Sequence, residues 1–372
     1  MAAARGLADA GWFVGVGAPG AAGLAAASRA CRRVHDVPAA HEDVGGFIRS
    51  VAEAVRVGGY EVVFGAGEAE VMALSADRVA VPAVVPYAPH DAVTRALDKV
   101  ELDELARRAG FDLPPVVDPA TLDDPSAPVV VKARRHAAPE TPGAPPRVDT
   151  NVVFGAAAAR ERVRQIGELG AEARVQEYLA GPLLAYAAVT DRDATVVADS
   201  MQLASKIWPP YAGASCRAAT IKVDETVAAR AQKLFRELGW FGLAELQFVV
   251  PSDGTPRLID LNGRFYGSLA LAAAAGVNLP ATWAALATGR PVERDRARPG
   301  VRYQWLEGDL HRAVAEREGG AVRDVAASVA ASLTSHHSLW RITDPAPATL
   351  RLKQLVTGGG RLTGDSTRGC SR

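Results

Sequence analysis

The residues best suited to chemistry lie in two short apolar segments joined by a tight turn. The first is Glu245-Leu-Gln-Phe248 and the second is Leu258-Ile-Asp-Leu-Asn-Gly-Arg264, with Pro-Ser-Asp-Gly-Thr between them. The Asp-Gly pair predicts a hairpin. On an extended strand residues two apart share a face, so Asp260 and Asn262 point the same way, and so do Glu245 and Gln247. The hairpin sets Gln247 roughly opposite Ile259–Asp260. Oxygen-bearing side chains then converge from two neighbouring strands. A few hard oxygens, completed by water and phosphate, suit Mg²⁺, with Mn²⁺ as an alternative ion. Glu245, Gln247, Asp260 and Asn262 are thus candidate oxygen donors to such an ion. Arg264, just past the strand end, could neutralise charge on a phosphoryl group in transfer.

A second signal is the use of lysine. Of 42 basic residues only Lys99, Lys132, Lys206, Lys222, Lys233 and Lys353 are lysines. A compact ammonium on a flexible stem suits a phosphate point contact. Lys132 ends the apolar run Val129-Val130-Val131, which reads as a strand. Lys99 sits at the head of an expected helix, Asp98–Ala109, whose apolar face is Leu102, Leu105, Ala106 and Ala109 and which Gly110 terminates.

Other motifs argue for less. Gly15-Val-Gly-Ala-Pro-Gly20 fits the spacing of a dinucleotide-binding turn, and Asp36 lies near the position of its acidic partner. Pro19 inside the turn makes it a plain turn in our reading. No phosphate-binding G-x-x-x-x-G-K-[ST] loop, HExxH, Cys/His cluster or G-x-S-x-G elbow is present. His336-His337 reads as a surface pair. The three cysteines are far apart, which argues against a disulfide framework and for a reducing cytoplasm. Zero net charge leaves no basic footprint for nucleic acid, and no apolar run reaches a membrane span. The N-terminus lacks the apolar core of a signal peptide.

These residues need elements to hold them. Residues 1–92 alternate helix (Ala2–Ala10), strand (Trp12–Val16), helix (His41–Val57) and a short buried strand (Glu61–Phe64), as in a parallel α/β unit. A doubly wound unit normally opens on a strand, so the opening helix raises an upstream start as an expectation. Strands are expected at Arg174–Tyr178, Leu183–Thr190, Thr195–Leu203, Gly242–Val250 and Arg257–Asn262. Helices are expected at Ala156–Leu169, Thr226–Leu238, Ser268–Ala275 and one stretch near 308–333. Residues 136–150, rich in Pro, Ala and Gly, read as a mobile loop, and the last fifteen residues as disordered.

In consistent order over residues 1 to about 290, these features resemble the ATP-grasp superfamily. Leu97-Asp-Lys99 resembles the D-K that opens its nucleotide-binding region. Val131-Lys132 resembles its lysine strand, Val175-Gln-Glu-Tyr-Leu-Ala-Gly181 its hinge, and Leu258–Arg264 its metal strand E-x-N-P-R. Lys206 before Trp-Pro-Pro matches a basic position in the second subdomain. The likeness is greatest to the carbamoyl-phosphate-synthetase-like, carboxylate–amine ligase branch. Two positions depart from the pattern, with Asp260 for Glu and Gly263 for Pro.

The resemblance implies an α/β chain with an α+β nucleotide-binding part. Its divisions are a pre-ATP-grasp domain at 1–92, an ATP-grasp domain at 93–290 split into 93–175 and 176–290, and an extension at 291–372. It further implies ATP between the two subdomains, adenine against Glu177, Tyr178 and Leu179, phosphates on Lys99, Lys132 and Lys206, and Mg²⁺ on Gln247, Asp260 and Asn262 with Glu245 as a spare carboxylate. Arg264 would serve the transferring phosphoryl group. The expected reaction activates a carboxylate as an acyl phosphate, which a small-molecule amine then attacks. The loop 136–150 would close over it. A homodimer is left open. The rivals are an ATP-dependent carboxylase or carbamoyl-phosphate-type activity, a non-catalytic ATP-binding module, and a dinucleotide-dependent oxidoreductase using Gly15–Gly20.

Overall fold

In the computed structural model the described residues are 1–121, 126–135 and 148–357. Most of the loop expected at 136–150, and the whole tail from 358, lie outside them. The N-terminal part carries α1 (Ala2–Asp9), β1 (Gly15–Ala18), β2 (Arg33–Asp36), α2 (Val44–Gly58), α3 (Glu68–Ala76) and α4 (His90–Leu97). β1 runs parallel to β2, a strand for which the sequence reading had no counterpart. The first strand starts three residues later than read from Trp12. Glu61–Phe64 is no regular strand; it makes one isolated parallel bridge, Val62 to Val84. Side chains of Phe64, Tyr87, Phe265 and Trp283 meet in a cluster, with Phe64 and Trp283 centroids 4.6 Å apart. This cluster welds the N-terminal part to the segment that follows Arg264.

Next come α5 (Lys99–Ala109), β3 (Pro128–Ala133), β4 (Asn151–Phe154), α6 (Gly155–Glu168) and β5 (Ala173–Glu177). α5 forms where expected because its ends are closed. Asp98 accepts from the amides of Val100 and Glu101, and Gly110 terminates the helix with φ 96°. β4, β3 and β5 make an antiparallel three-stranded sheet. Val129, Val131, Ala159, Ile166 and Val175 form a small core of their own beneath it.

The larger sheet takes the rest. Its strands are β6 (Leu183–Thr190), β7 (Val196–Trp208), β8 (Ala214–Ile221), β9 (Gly242–Val249) and β10 (Arg257–Asn262), with α7 (Glu225–Leu238), α8 (Leu269–Ala274) and α9 (Leu279–Ala287) between and after them. The C-terminal part adds β11 (Asp295–Arg296), β12 (Arg302–Gln304), α10 (Leu306–Glu316), α11 (Ala321–Ser332), β13 (His336–His337) and α12 (Ala346–Val356). The order is β10-β9-β6-β7-β8-β12-β13, with β11 beside β7. β6 is almost wholly buried, as its unbroken Leu-Leu-Ala-Tyr-Ala-Ala-Val run requires of a strand covered on both faces.

Three readings need correction here. The strand read as Thr195–Leu203 continues to Trp208, so Lys206 is a strand residue. The helical stretch near 308–333 is two helices, because Arg317 turns left-handed and Gly319-Gly320 breaks the period. His336-His337 is a short strand parallel to β12, with His336 exposed and His337 half-buried. Among the described residues no helix is long and apolar enough to cross a membrane.

Candidate functional site

The hairpin of β9 and β10 has the anticipated register: Asp260 faces Gln247 and Asn262 faces Glu245. A bulge lies between Leu258 and Asp260, so Ile259 has no cross-strand partner of its own. Its carbonyl accepts instead from Lys132 Nζ at 3.3 Å. The lysine strand and the hairpin are thereby joined.

Lys99 reaches the same place. The Lys99 amide donates to the Arg134 carbonyl at 2.9 Å, which ties the start of α5 to the end of β3. Asp98 accepts from both Arg134 and Arg135. Burial alone would raise its pKa, but these guanidiniums and the helix amides hold it below the ordinary value. From this anchored position the Lys99 ammonium forms an ion pair with Asp260. Lys99 and Lys132 are nearly inaccessible, at 2% and 4% exposure. Burial, reinforced by the neighbouring Lys99 charge, pushes the Lys132 pKa down to about 8, against the pull of Asp103 and Asp260. Asp103 forms a buried ion pair with Arg174, and burial raises its own pKa. Two close ammoniums held out of water create a strong demand for anionic charge.

Glu245 is 2% exposed, and its Oε2 accepts from Gln247 Nε2 and from Asn262 Nδ2, each at 3.0 Å. Burial pushes its pKa up to about 7, although both amides and Arg264 favour the charged form. With their nitrogens engaged, Gln247 and Asn262 each retain a carbonyl oxygen. Together with the Asp260 carboxylate these are hard donors, and the set fits a small divalent cation that keeps several water or phosphate oxygens. No group of three or more His, Cys, Asp or Glu that could hold a metal occurs among the described residues. Any cation here therefore relies on amide oxygens for part of its shell.

Gly263 stands where the resembled pattern has Pro, and packing explains it. A Cβ there would meet the Trp240 ring at 2.1 Å. Arg264 follows, its Nη1 donating to the Phe265 carbonyl at 3.0 Å. Glu68, Val93, Leu97, Trp240, Asn262 and Arg264 line a narrow cleft there with a volume of about 10 Å³, room for roughly one water.

The remaining expected residues, Glu177, Tyr178, Leu179 and Lys206, come from other elements. Glu177 ends β5, exposed, and its amide donates to Pro115. Tyr178 and Leu179 follow in the link to β6, and the Tyr178 ring packs edge-on against Tyr211 from the β7–β8 loop at 5.7 Å. Lys206 donates to Glu318 at 2.7 Å, in the turn between α10 and α11. Asp103, Arg174 and Trp240 were not singled out from sequence. Their types and positions carry no local signature, because their roles arise from elements far apart in the chain. Gly20, in the Gly15–Gly20 turn, donates its amide to Asp36 at 2.7 Å, and the turn runs into a single 3-10 turn, Pro19–Ala21, rather than an α-helix. It lacks the helix N-terminus that a pyrophosphate would need.

A family described as "ATP-grasp in the biosynthetic pathway with Ter operon" matches residues 212–309, which contain the hairpin. No curated protein sequence matches the chain. Among solved structures, an L-amino acid ligase from Bacillus licheniformis is similar, with TM-score 0.58, 17% identity, and coverage of 78% of this chain and 71% of that one. The ADP complex of an N5-carboxyaminoimidazole ribonucleotide synthetase gives TM-score 0.60, 14% identity, and coverage of 86% and 81%. The biotin carboxylase domain of the Hydrogenobacter thermophilus 2-oxoglutarate carboxylase, with MgADP and bicarbonate, gives 0.59, 12%, and 81% and 70%. At these identities the likeness establishes the shared fold.

Proposed function

We propose that the chain is an ATP-grasp enzyme, and specifically a Mg-ATP-dependent carboxylate–amine ligase. One observation carries this reading. Two buried lysines from separate elements converge on a hairpin whose facing side chains are Asp260, Gln247, Asn262 and Glu245.

Lys99 and Lys132 bind the phosphates of ATP, whose charge answers the unfavourable burial of two ammoniums. Glu177, Tyr178 and Leu179 hold the adenine edge, and Lys206 exchanges Glu318 for phosphate. Gln247, Asp260 and Asn262 hold Mg²⁺, which supplies charge neutralisation on the phosphate oxygens when bound. Arg264 orients the substrate carboxylate and stabilises the phosphoryl group arriving on it. The carboxylate attacks the γ-phosphorus and ADP leaves. An amine then displaces phosphate from the acyl phosphate, giving an amide.

The similarity to a biotin carboxylase domain keeps one second reading, ATP-driven carboxylation with bicarbonate as the activated acid. The experiment is a phosphate-release screen. Purified protein with Mg-ATP is offered small carboxylates, amines and bicarbonate, singly and in pairs. Phosphate release that requires both a carboxylate and an amine supports the ligase. Release driven by bicarbonate without an amine supports the carboxylase. No release under any pairing, together with no ATP binding, overturns both.

A further inference from the structure

Glu245 lies outside the three expected ligands, yet it is the most completely enclosed charge of the hairpin. A carboxylate out of water is unfavourable unless its oxygens are used. Here one oxygen, Oε2, receives both amide nitrogens, from Gln247 on its own strand and from Asn262 on the opposing one. An amide side chain can present either oxygen or NH₂, whereas only the oxygen can bind a cation. Two amides on one face of a hairpin could also bond to each other, consuming one of the two oxygens. An oxygen held between them prevents this, because it takes both NH₂ groups at once.

We propose that Glu245 is a positioning residue that fixes the orientation of both amide ligands, leaving the oxygens of Gln247 and Asn262 free for the divalent cation. This rests on the metal role proposed above for the hairpin. It also explains how a ligand set with two amides and one carboxylate can work. The selection between oxygen and nitrogen, which carboxylate ligands do not need, is made by a third group behind them.

The test is Mn²⁺ binding to the full-length protein with ADP present, read from the loss of the free-ion electron paramagnetic resonance signal. Glu245→Leu removes the acceptor at similar volume, and Glu245→Gln keeps one oxygen in the same place without charge. For a group that orients ligands, Glu245→Leu is expected to raise the Mn²⁺ Kd about 10–100-fold. Glu245→Gln should stay within about threefold of wild type, because its oxygen can still accept both amides. ADP affinity without metal should be unchanged in both. Equal losses in the two variants would show that the charge itself is what matters, and would overturn positioning. So would wild-type Mn²⁺ binding by Glu245→Leu. Should Glu245→Leu fail to fold, Glu245→Gln decides alone, retention supporting the proposal and loss refuting it. Asp260→Asn in the same titration separates the two levels of argument. If that variant binds Mn²⁺ as wild type does, the hairpin is not the metal site and both readings fall; a contrary Glu245 result alone removes only positioning.

Discussion

Replacing Lys132 by Met should make the nucleotide-free protein more stable while weakening ATP binding. Lys132 is 4% exposed, and its pKa is pushed down to about 8, first by burial and then by the Lys99 charge. The unfolded chain titrates near 10.4, and each unit of difference corresponds to about 1.4 kcal/mol. Keeping this lysine protonated in the fold at pH 7 therefore costs about 3 kcal/mol. Met fills similar space without charge but forfeits the bond to the Ile259 carbonyl, worth about 1 kcal/mol. The net expectation is a gain of about 2 kcal/mol in unfolding free energy. The sign with pH follows from the depressed folded pKa. Between about 8 and 10.4 the unfolded chain holds a proton that the folded one has released, so wild-type stability from this group rises with pH through that window. Met does not titrate, so the advantage of the variant is largest at pH 7 and shrinks towards pH 10. The assay is urea denaturation of both proteins without nucleotide at pH 7, 8.5 and 10, alongside calorimetric ATP titration at pH 7. A variant less stable than wild type at pH 7 would refute the electrostatic reasoning. Unchanged ATP affinity would refute the phosphate role.

Other outcomes follow from the same geometry. Asp260→Asn removes the carboxylate paired with Lys99 and opposite Gln247; substrate-dependent ATP turnover should fall about 10²–10³-fold, more than ATP affinity does, and unchanged turnover would remove the hairpin from the mechanism. Calorimetry should find ATP binding and no NAD binding, because the Gly15–Gly20 turn is not followed by an α-helix N-terminus. Asp344 accepts from Arg5 at 2.9 Å and from Ser28 at 2.5 Å, both buried, so Asp344→Ala should lower unfolding stability by about 3–5 kcal/mol by stranding the Arg5 charge, as read by denaturant titration.

The legibility of this site followed the range of its interactions. The hairpin was readable because everything that defines it is local. Asp-Gly sets the turn, alternation sets the faces, and the register needs only the twenty residues between Glu245 and Arg264. The helix that begins at Lys99 was readable for the same reason, since Asp98 and Gly110 close its own ends. Lys132 stood out through its type, in a chain that otherwise prefers Arg. What no local pattern carries is the convergence. That Lys99 meets Asp260 across 161 positions, and Lys132 meets the Ile259 carbonyl across 127, depends on a bulge in β10 and on the tie between Lys99 and Arg134. The same holds for Gly263, which looked like a departure from a motif until Trp240 was found to fill the space of its missing side chain. Glu245 was visible as a carboxylate on the correct face, but its bonds to two amides on different strands belong to the folded sheet. Periodicity and turn chemistry act over a few residues and are written in the chain, whereas burial, charge compensation and the orientation of an amide depend on neighbours that only folding brings near.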